Sequence, residues 1–199
     1  MAKELLIIFV KKPELGRVKT RLAQSIGDHA ALDIYKKLIS TTEEASSKLN
    51  TDRHIYFSGA ISNEYWKLDS KVTQQGIDLG ERMLNAFKNS FYKGYDRIVL
   101  IGSDLPEISE EIIKNAFGKL EENEVVFGPS EDGGYYLVGM SNLHEYVFEN
   151  KPWSTTTLLE KTLAELKQKN VDVSLMRTLN DIDTFEDLKQ YPEFLKLLK

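Results

Sequence analysis

The chain has 199 residues, 41% hydrophobic and 29% charged, with a formal net charge of -5 and no cysteine. That length suits a single domain over residues 1–199 with a sizeable core, and the composition excludes a disordered chain. The acidic balance lacks the electrostatic footprint of a nucleic-acid binder, and the absence of cysteine excludes disulfides, thiolate zinc sites and a cysteine nucleophile.

The first apolar run, Leu5 to Val10, reads as a buried strand. Closed by Lys11 and Lys12, it is too short for a signal peptide or a membrane span, so a cytoplasmic protein is expected. The following loop, Lys11 to Leu22, holds five cations between Lys11 and Arg21, with Gly16 in their midst. Such a loop after a first strand can wrap a polyphosphate: glycine lets the backbone approach, and the cations neutralise charge. It lacks the glycine spacing of a Walker A loop. A solvated basic loop is the structural alternative.

Asp28 to Leu49 has helical periodicity, with apolar Ala31, Ile34, Tyr35, Leu38 and Ala45. His29 falls on its surface. Arg53 to Phe57 reads as a second strand, and Asn63 to Asp69 as irregular, with Tyr65 and Trp66 as packing residues. Gln75, Gly76 and Gly80 precede or open a helix expected from Leu79 to Phe91. Glycines at a helix start allow either a close ligand or close helix–sheet packing.

Arg97 to Ile101 is a second run of branched apolar residues, stopped by Gly102-Ser103-Asp104-Leu105-Pro106. Pro106 removes a backbone donor, so the strand ends there. The polar cluster therefore sits past the carboxyl end of a central strand, the edge where open α/β sheets bind ligands. Asp104 could hold a hard cation or a ribose hydroxyl, or only cap a turn. Ser109 is a good N-cap for a helix to about Leu120. Glu124 to Phe127 and Tyr135 to Met140 read as strands joined by Gly128-Pro129-Ser130-Glu131-Asp132-Gly133-Gly134, longer than a tight hairpin needs. Ser154 is expected to cap a helix running from Trp153 to about Asn170, and Val171 to Leu175 is the last strand. Thr184 and Asp187 fit a capping box. That leaves Asp181 and Asp183 unexplained, with the alternate spacing that aims two carboxylates to one side of an extended segment.

A basic glycine loop after the first strand, Asp104 after a central strand and the Asp181/Asp183 pair together suit a magnesium-bound nucleoside phosphate. The three histidines, His29, His54 and His144, have no zinc spacing.

The ordered set Lys12-Pro13…Gly16-Arg17-Val18-Lys19-Thr20-Arg21-Leu22, Gly102 to Pro106, Gly128 to Tyr135, Pro152-Trp153-Ser154-Thr155 and Asp181-Ile182-Asp183-Thr184 spans nearly the whole chain. It resembles an uncharacterised bacterial glycosyltransferase-like family of the nucleotide-diphospho-sugar transferase (glycosyltransferase A) fold, related to phospholactate guanylyltransferase. The resemblance implies a Rossmann-like three-layer α/β sandwich with a mostly parallel central sheet. It implies a transferase that uses a nucleoside triphosphate or nucleotide sugar, a small-molecule acceptor and Mg²⁺ or Mn²⁺; the acidic charge balance points to no nucleic-acid partner. It puts Lys19 and Arg21 on phosphates, and Lys12, Gly16 and Ser103 in the same nucleotide site. Asp104 would bind the metal, with Asp181 or Asp183 as second ligand or support. Gln75, Gly76 and Gly80 would lie near the base or ribose, and Asp132, Gly133 and Gly134 on the acceptor side.

Metal-dependent sugar transferases of this fold carry D-x-D at the central strand end, where this chain has Gly102-Ser103-Asp104 with one carboxylate. The Asp-Leu-Pro form is more similar to molybdenum-cofactor and phospholactate nucleotidyltransferases. Nucleotidyl transfer to a small phosphorylated acceptor is thus the implied reaction, with glycosyl transfer and a non-catalytic nucleotide-binding module as alternatives. A phosphatase reading of Asp181-Ile182-Asp183-Thr184 fails, because the threonine stands one position early and little chain follows.

Overall fold

The structure, a computed structural model, describes residues 2–198. Strands β1 (Glu4–Lys11), β2 (Asp52–Ser58), β3 (Ser70–Thr73), β4 (Arg97–Gly102), β5 (Val125–Pro129), β6 (Tyr135–Met140) and β7 (Val173–Leu175) form one sheet, ordered β3-β2-β1-β4-β6-β5-β7. All neighbours run parallel except β6, which is antiparallel to both β4 and β5. The sheet is therefore mostly parallel and α/β, as the sequence implied.

Side chains alternate across a strand, so the central strands feed two cores at once. Leu6, Ile8 and Val10 of β1, with Val99 and Ile101 of β4, join one apolar cluster. Leu5, Ile7 and Phe9, with Ile98 and Leu100, join the other. Helices α2 (Asp28–Ser47) and α4 (Glu110–Lys119) cover the first face through Tyr35, Ile39, Ile113 and Phe117. Helices α3 (Leu79–Tyr92) and α5 (Leu158–Gln168) cover the second through Met83, Phe87, Leu159 and Leu166. These layers explain why β1 and β4 are near-continuous apolar runs. No described helix is long and apolar enough to cross a membrane.

Three local expectations change. Thr20, Arg21 and Leu22 are not loop but the start of α1 (Thr20–Ile26), because Leu22 is fully buried against Ile34 and Leu38 of α2. Ser154 does not cap α5. The helix begins at Leu158 after Thr157, and Ser154 has φ 60. The approach to the helix is held elsewhere: the Thr155 hydroxyl donates to the Pro152 carbonyl (2.7 Å), and the Leu159 N–H in the first turn of α5 donates to the Gly133 carbonyl (3.0 Å). The short edge strand β3 was not expected, since Ser-Lys-Val-Thr carries little apolar pattern.

The chain after β7 folds back over α1 and α2. Ile182, Leu188 and Phe194 pack with Leu22, Ile34 and Leu38 in a third apolar cluster, and helix α6 (Phe185–Lys189) starts with the expected Thr184/Asp187 capping box.

Candidate functional site

The strand order reverses at β1: its connection to β2 leads one way along the sheet and β4 lies on its other side. Crevices at such switch points, outside the carboxyl ends of the strands, are where ligands bind in this architecture. Phe9 of β1 is level with Gly102 of β4, so the loops that leave these two strands emerge side by side.

The loop after β1 is anchored by Val18, only 3% exposed. Lys19 then takes the left-handed conformation (φ 46, ψ 45) and caps α1 through its carbonyl, which accepts from the Ala23 N–H at 2.9 Å. That conformation costs a non-glycine residue on the order of 1–2 kcal/mol, and such strain clusters at functional sites. Here it turns the side chain inward, leaving 4% of it exposed.

Past β4, Ser103 is buried and lies 3.2 Å from the Tyr35 hydroxyl. The Lys11 N–H donates to that hydroxyl (3.0 Å), which lies 3.1 Å from the Lys11 carbonyl. Tyr35 thus ties the ends of β1 and β4 to α2. Burial pushes its phenol up to about 12, so it remains a neutral hydroxyl. Leu105 is buried next to Asp104 and fixes the turn.

The third contribution comes from the end of the chain. Ser130 pairs with Leu179 as an isolated parallel bridge, and the Leu179 N–H donates to the Pro129 carbonyl (3.1 Å). Ile182 is fully buried on the α1–α2 side. In an extended segment its two neighbours face the other way, which brings Asp181 and Asp183 to the cleft.

These elements place one ammonium among three carboxylates. Lys19 Nζ lies 3.0 Å from Asp104 Oδ2, 3.4 Å from Asp183 Oδ1 and 3.5 Å from Asp181 Oδ2. Arg21 pairs with Asp183 from the outside. Burial works against the charge of Lys19, but the carboxylates of Asp104, Asp181 and Asp183 outweigh it and raise its pKa. For Asp104, burial favours the neutral acid, but Lys19 overrides it and holds the carboxyl below its usual value. Asp181 goes the other way, up to about 6. Burial is the largest cause; Lys19 opposes it, and the charges of Asp104, Asp183 and Asp132 add to it.

Two cavities meet at Asp104. The larger, about 490 Å³, lies beyond β1 and β2 and is lined by Lys11, Lys19, Arg21 and Arg82, with Ser103 and Asp183. The smaller, about 210 Å³, lies beyond β4 and β6 and includes Asp132 and Asp181 in a largely apolar wall.

The expected residues thus divide. Lys19, Arg21, Ser103, Asp104, Asp132, Asp181 and Asp183 line one or both cavities. Lys12, Gly16, Gln75, Gly76, Gly80, Gly133 and Gly134 line neither. Lys12 pairs with Glu14 at 2.7 Å. Gly80 and Gly133 are packing glycines: a Cβ on Gly80 would fall 2.5 Å from the Trp153 ring, and one on Gly133 would fall 2.0 Å from the Thr156 carbonyl oxygen. Gln74 and Arg82, rather than Gln75 and Gly80, face the larger cavity. Arg82 is a cation one turn into α3, and that position was the signal available for it. Tyr35 and Tyr135 had no signal beyond ordinary apolar periodicity.

The donor set suits a hard divalent cation, since three carboxylate oxygens converge on one point and no described histidine lines either cavity. No three described acidic or imidazole side chains stand as a ready metal cage. The meeting point of the three carboxylates is taken by the Lys19 ammonium, so a cation bound by them requires that ammonium to move.

The sequence profile of a bacterial family, described as "Uncharacterized protein conserved in bacteria (DUF2064)", matches residues 41–155. No curated protein matches the chain. Among solved structures, a protein of Desulfovibrio desulfuricans G20, provisionally named a nucleotide-diphospho-sugar transferase, is 28% identical. The match covers 100% of this chain and 99% of that one, with a TM-score of 0.87. The inositol-1-phosphate CTP transferase of T. maritima is 16% identical over 99% and 97% of the two chains, with a TM-score of 0.62. A manganese complex of Rv0371C from Mycobacterium tuberculosis H37Rv is 13% identical over 96% and 99%, with a TM-score of 0.53. The last two show the shared fold alone. With more than half of its length matched by the profile, the chain belongs to the DUF2064 family and has the fold of the nucleotide-diphospho-sugar transferases.

Proposed function

We propose that this protein is a divalent-metal-dependent transferase acting on a nucleoside triphosphate or a nucleotide sugar, with nucleotidyl transfer as its reaction. One observation carries the reading: Asp104, Asp181 and Asp183 converge on Lys19 at the switch point of the sheet, beside a cavity lined by four cations. Acidic ligands next to a basic cavity are what a metal–polyphosphate complex requires.

Lys11, Lys19, Arg21 and Arg82 bind the phosphates, and Ser103 and Tyr35 hold the strand ends that aim them. Asp104 with Asp181 or Asp183 would hold Mg²⁺ or Mn²⁺, which would supply positive charge to offset that of the phosphates. An acceptor oxygen entering from the smaller cavity attacks the α-phosphorus in line. The bond from that phosphorus to the bridging oxygen breaks, and pyrophosphate leaves with its electron pair; the proton of a hydroxyl acceptor passes to the Asp132 carboxylate in the wall of the smaller cavity. Lys19 and Arg21 then stabilise charge as it builds on the leaving group. Sugar transfer is the second reading, favoured by the smaller cavity, which has the size and apolar wall to hold a sugar ring beside the diphosphate.

The test is a panel of nucleoside triphosphates and nucleotide sugars by thermal shift, with and without Mg²⁺ or Mn²⁺. A ligand that binds only the native state raises the melting temperature by mass action. A metal-dependent shift with at least one nucleotide is expected, and none across the panel rejects the reading.

A further inference from the structure

The two cavities that share Asp104 carry opposite charge. The larger has four cations in its wall. Among the described residues no lysine or arginine lines the smaller, and its charged residues are Asp104, Asp132 and Asp181. A metal held by Asp104 and Asp181 would neutralise those two and leave Asp132. Ser130 Oγ and the Gly134 N–H both donate to Oδ1 of Asp132, so these bonds orient the carboxylate and leave Oδ2 for a ligand.

The rest of the wall is apolar: Leu79, Met83, Leu100, Leu105, Leu137 and Val138 contribute to it. Tyr135 also lines it, and the Tyr135 hydroxyl oxygen is buried with no hydrogen-bond partner. At about 210 Å³ the space is below the roughly 300–1,000 Å³ typical of drug-sized ligands, so it suits one small ring or a short chain.

A phosphate dianion here would face Asp132 with no described lysine or arginine side chain in the wall beside it, and such like-charge juxtaposition is strongly disfavoured. An uncharged hydroxyl-bearing group fits better: a hydroxyl can donate to Asp132, and the C–H faces can lie against the leucines. We propose that the smaller cavity takes an uncharged, hydroxyl-bearing carbon skeleton and rejects a phosphorylated one, with Asp132 setting that specificity. This replaces the phosphorylated acceptor that the family resemblance implied, and it rests on the transferase reading above. The same chemistry has two sources, a free alcohol acceptor or the sugar of a nucleotide sugar.

Ligand-observed NMR with Mg²⁺ distinguishes them. In one arm, the protein saturated with whichever triphosphate binds is offered matched pairs: glycerol and glycerol 3-phosphate, and inositol and inositol 1-phosphate. In the other, nucleotide sugars are compared with their own nucleoside diphosphates, and UDP-glucose with UDP-glucuronate. The neutral member should bind about tenfold or more tightly than its anionic partner in at least one arm. The responding arm identifies the source. Asp132→Asn keeps the Oδ1 acceptor and should shrink that gap severalfold while leaving triphosphate affinity unchanged. Preference for the anionic member, binding of neither, or an unchanged gap in Asp132→Asn overturns the proposal. Failure of every nucleotide to bind is a different result, rejecting the transferase reading and this inference with it.

Discussion

Lys19 Nζ donates to Asp104 Oδ2 at 3.0 Å across 85 residues of sequence, and this bond joins the loop after β1 to the loop after β4. It also sets a competition. The ammonium stands where the three carboxylates meet, so metal and lysine cannot both be there. Lys19→Met should therefore bind Mn²⁺ more tightly than the parent without nucleotide, by electron paramagnetic resonance titration. The same change should weaken triphosphate binding by on the order of 1.5–3 kcal/mol through loss of a charge-assisted contact. Weaker Mn²⁺ binding in the variant would show that Lys19 supports the metal site rather than competing with it.

Leaving three carboxylates without their shared ammonium, with only Asp183 still paired to Arg21, should also destabilise the metal-free variant. Removing one partner of a fully buried pair costs roughly 3–5 kcal/mol. These carboxylates are about a third exposed and partly screened, so a loss of about 1–3 kcal/mol is expected. Chemical denaturation in EDTA measures it, and Mn²⁺ should restore most of it.

Asp104→Asn tests the other partner. Asparagine still offers Oδ1 to Lys19, so the metal-free protein should lose only about 1 kcal/mol. It supplies a neutral oxygen where Mg²⁺ favours an anionic one, so the Mg²⁺-dependent nucleotide shift should disappear. An undiminished shift in thermal melts would assign the metal to Asp181 and Asp183 alone.

The central strands were legible because continuous branched runs mark strands covered on both faces, and Ser109 and Thr184 announced their helices through side-chain caps. The direction of β6 was not, since Tyr135 to Met140 is apolar whichever way it runs. The start of α5 was hidden because Ser154 looks like a cap, while its turn is fixed by Gly133 and Trp153 through contacts far apart in sequence. At the site, Lys19, Asp104, Asp181 and Asp183 each stood out separately. Their meeting was not readable: 85 to 164 residues separate Lys19 from its partners, and the left-handed turn that aims it inward has no glycine or asparagine to signal it.

Gly80 separates packing from ligand contact. The family resemblance put it near the base or ribose, whereas a Cβ there would fall 2.5 Å from the Trp153 ring and 2.7 Å from the Phe148 carbonyl oxygen. Gly80→Ala should destabilise by about 1–3 kcal/mol through overpacking. Nucleotide affinity below the melting transition should stay within twofold or so, because the strain falls on Trp153 and Phe148, which line neither cavity. A stable variant with much weaker nucleotide binding would return Gly80 to the ligand site.

Asp181 gives the protein a pH dependence of definite sign. Its carboxyl is raised from the usual 3.8 to about 6 by burial and by the charges of Asp104, Asp183 and Asp132, against the pull of Lys19. Between those values the folded state holds a proton that the unfolded chain has released. The contribution of Asp181 to stability is therefore fully present below about pH 4 and lost as pH rises through about 6. The lowered carboxyl of Asp104 acts in the opposite sense, but below its usual 3.8, so the two windows do not overlap. Asp181→Asn should flatten the stability profile between pH 4 and 6 in EDTA. Carbon-13 NMR of the Asp181 carboxyl should show a midpoint near 6 without metal, moving down when Mg²⁺ is added, because a bound cation favours the carboxylate. A metal-free midpoint below 4 would mean that Lys19 dominates burial at this residue, and the slope between pH 4 and 6 would have to come from another group.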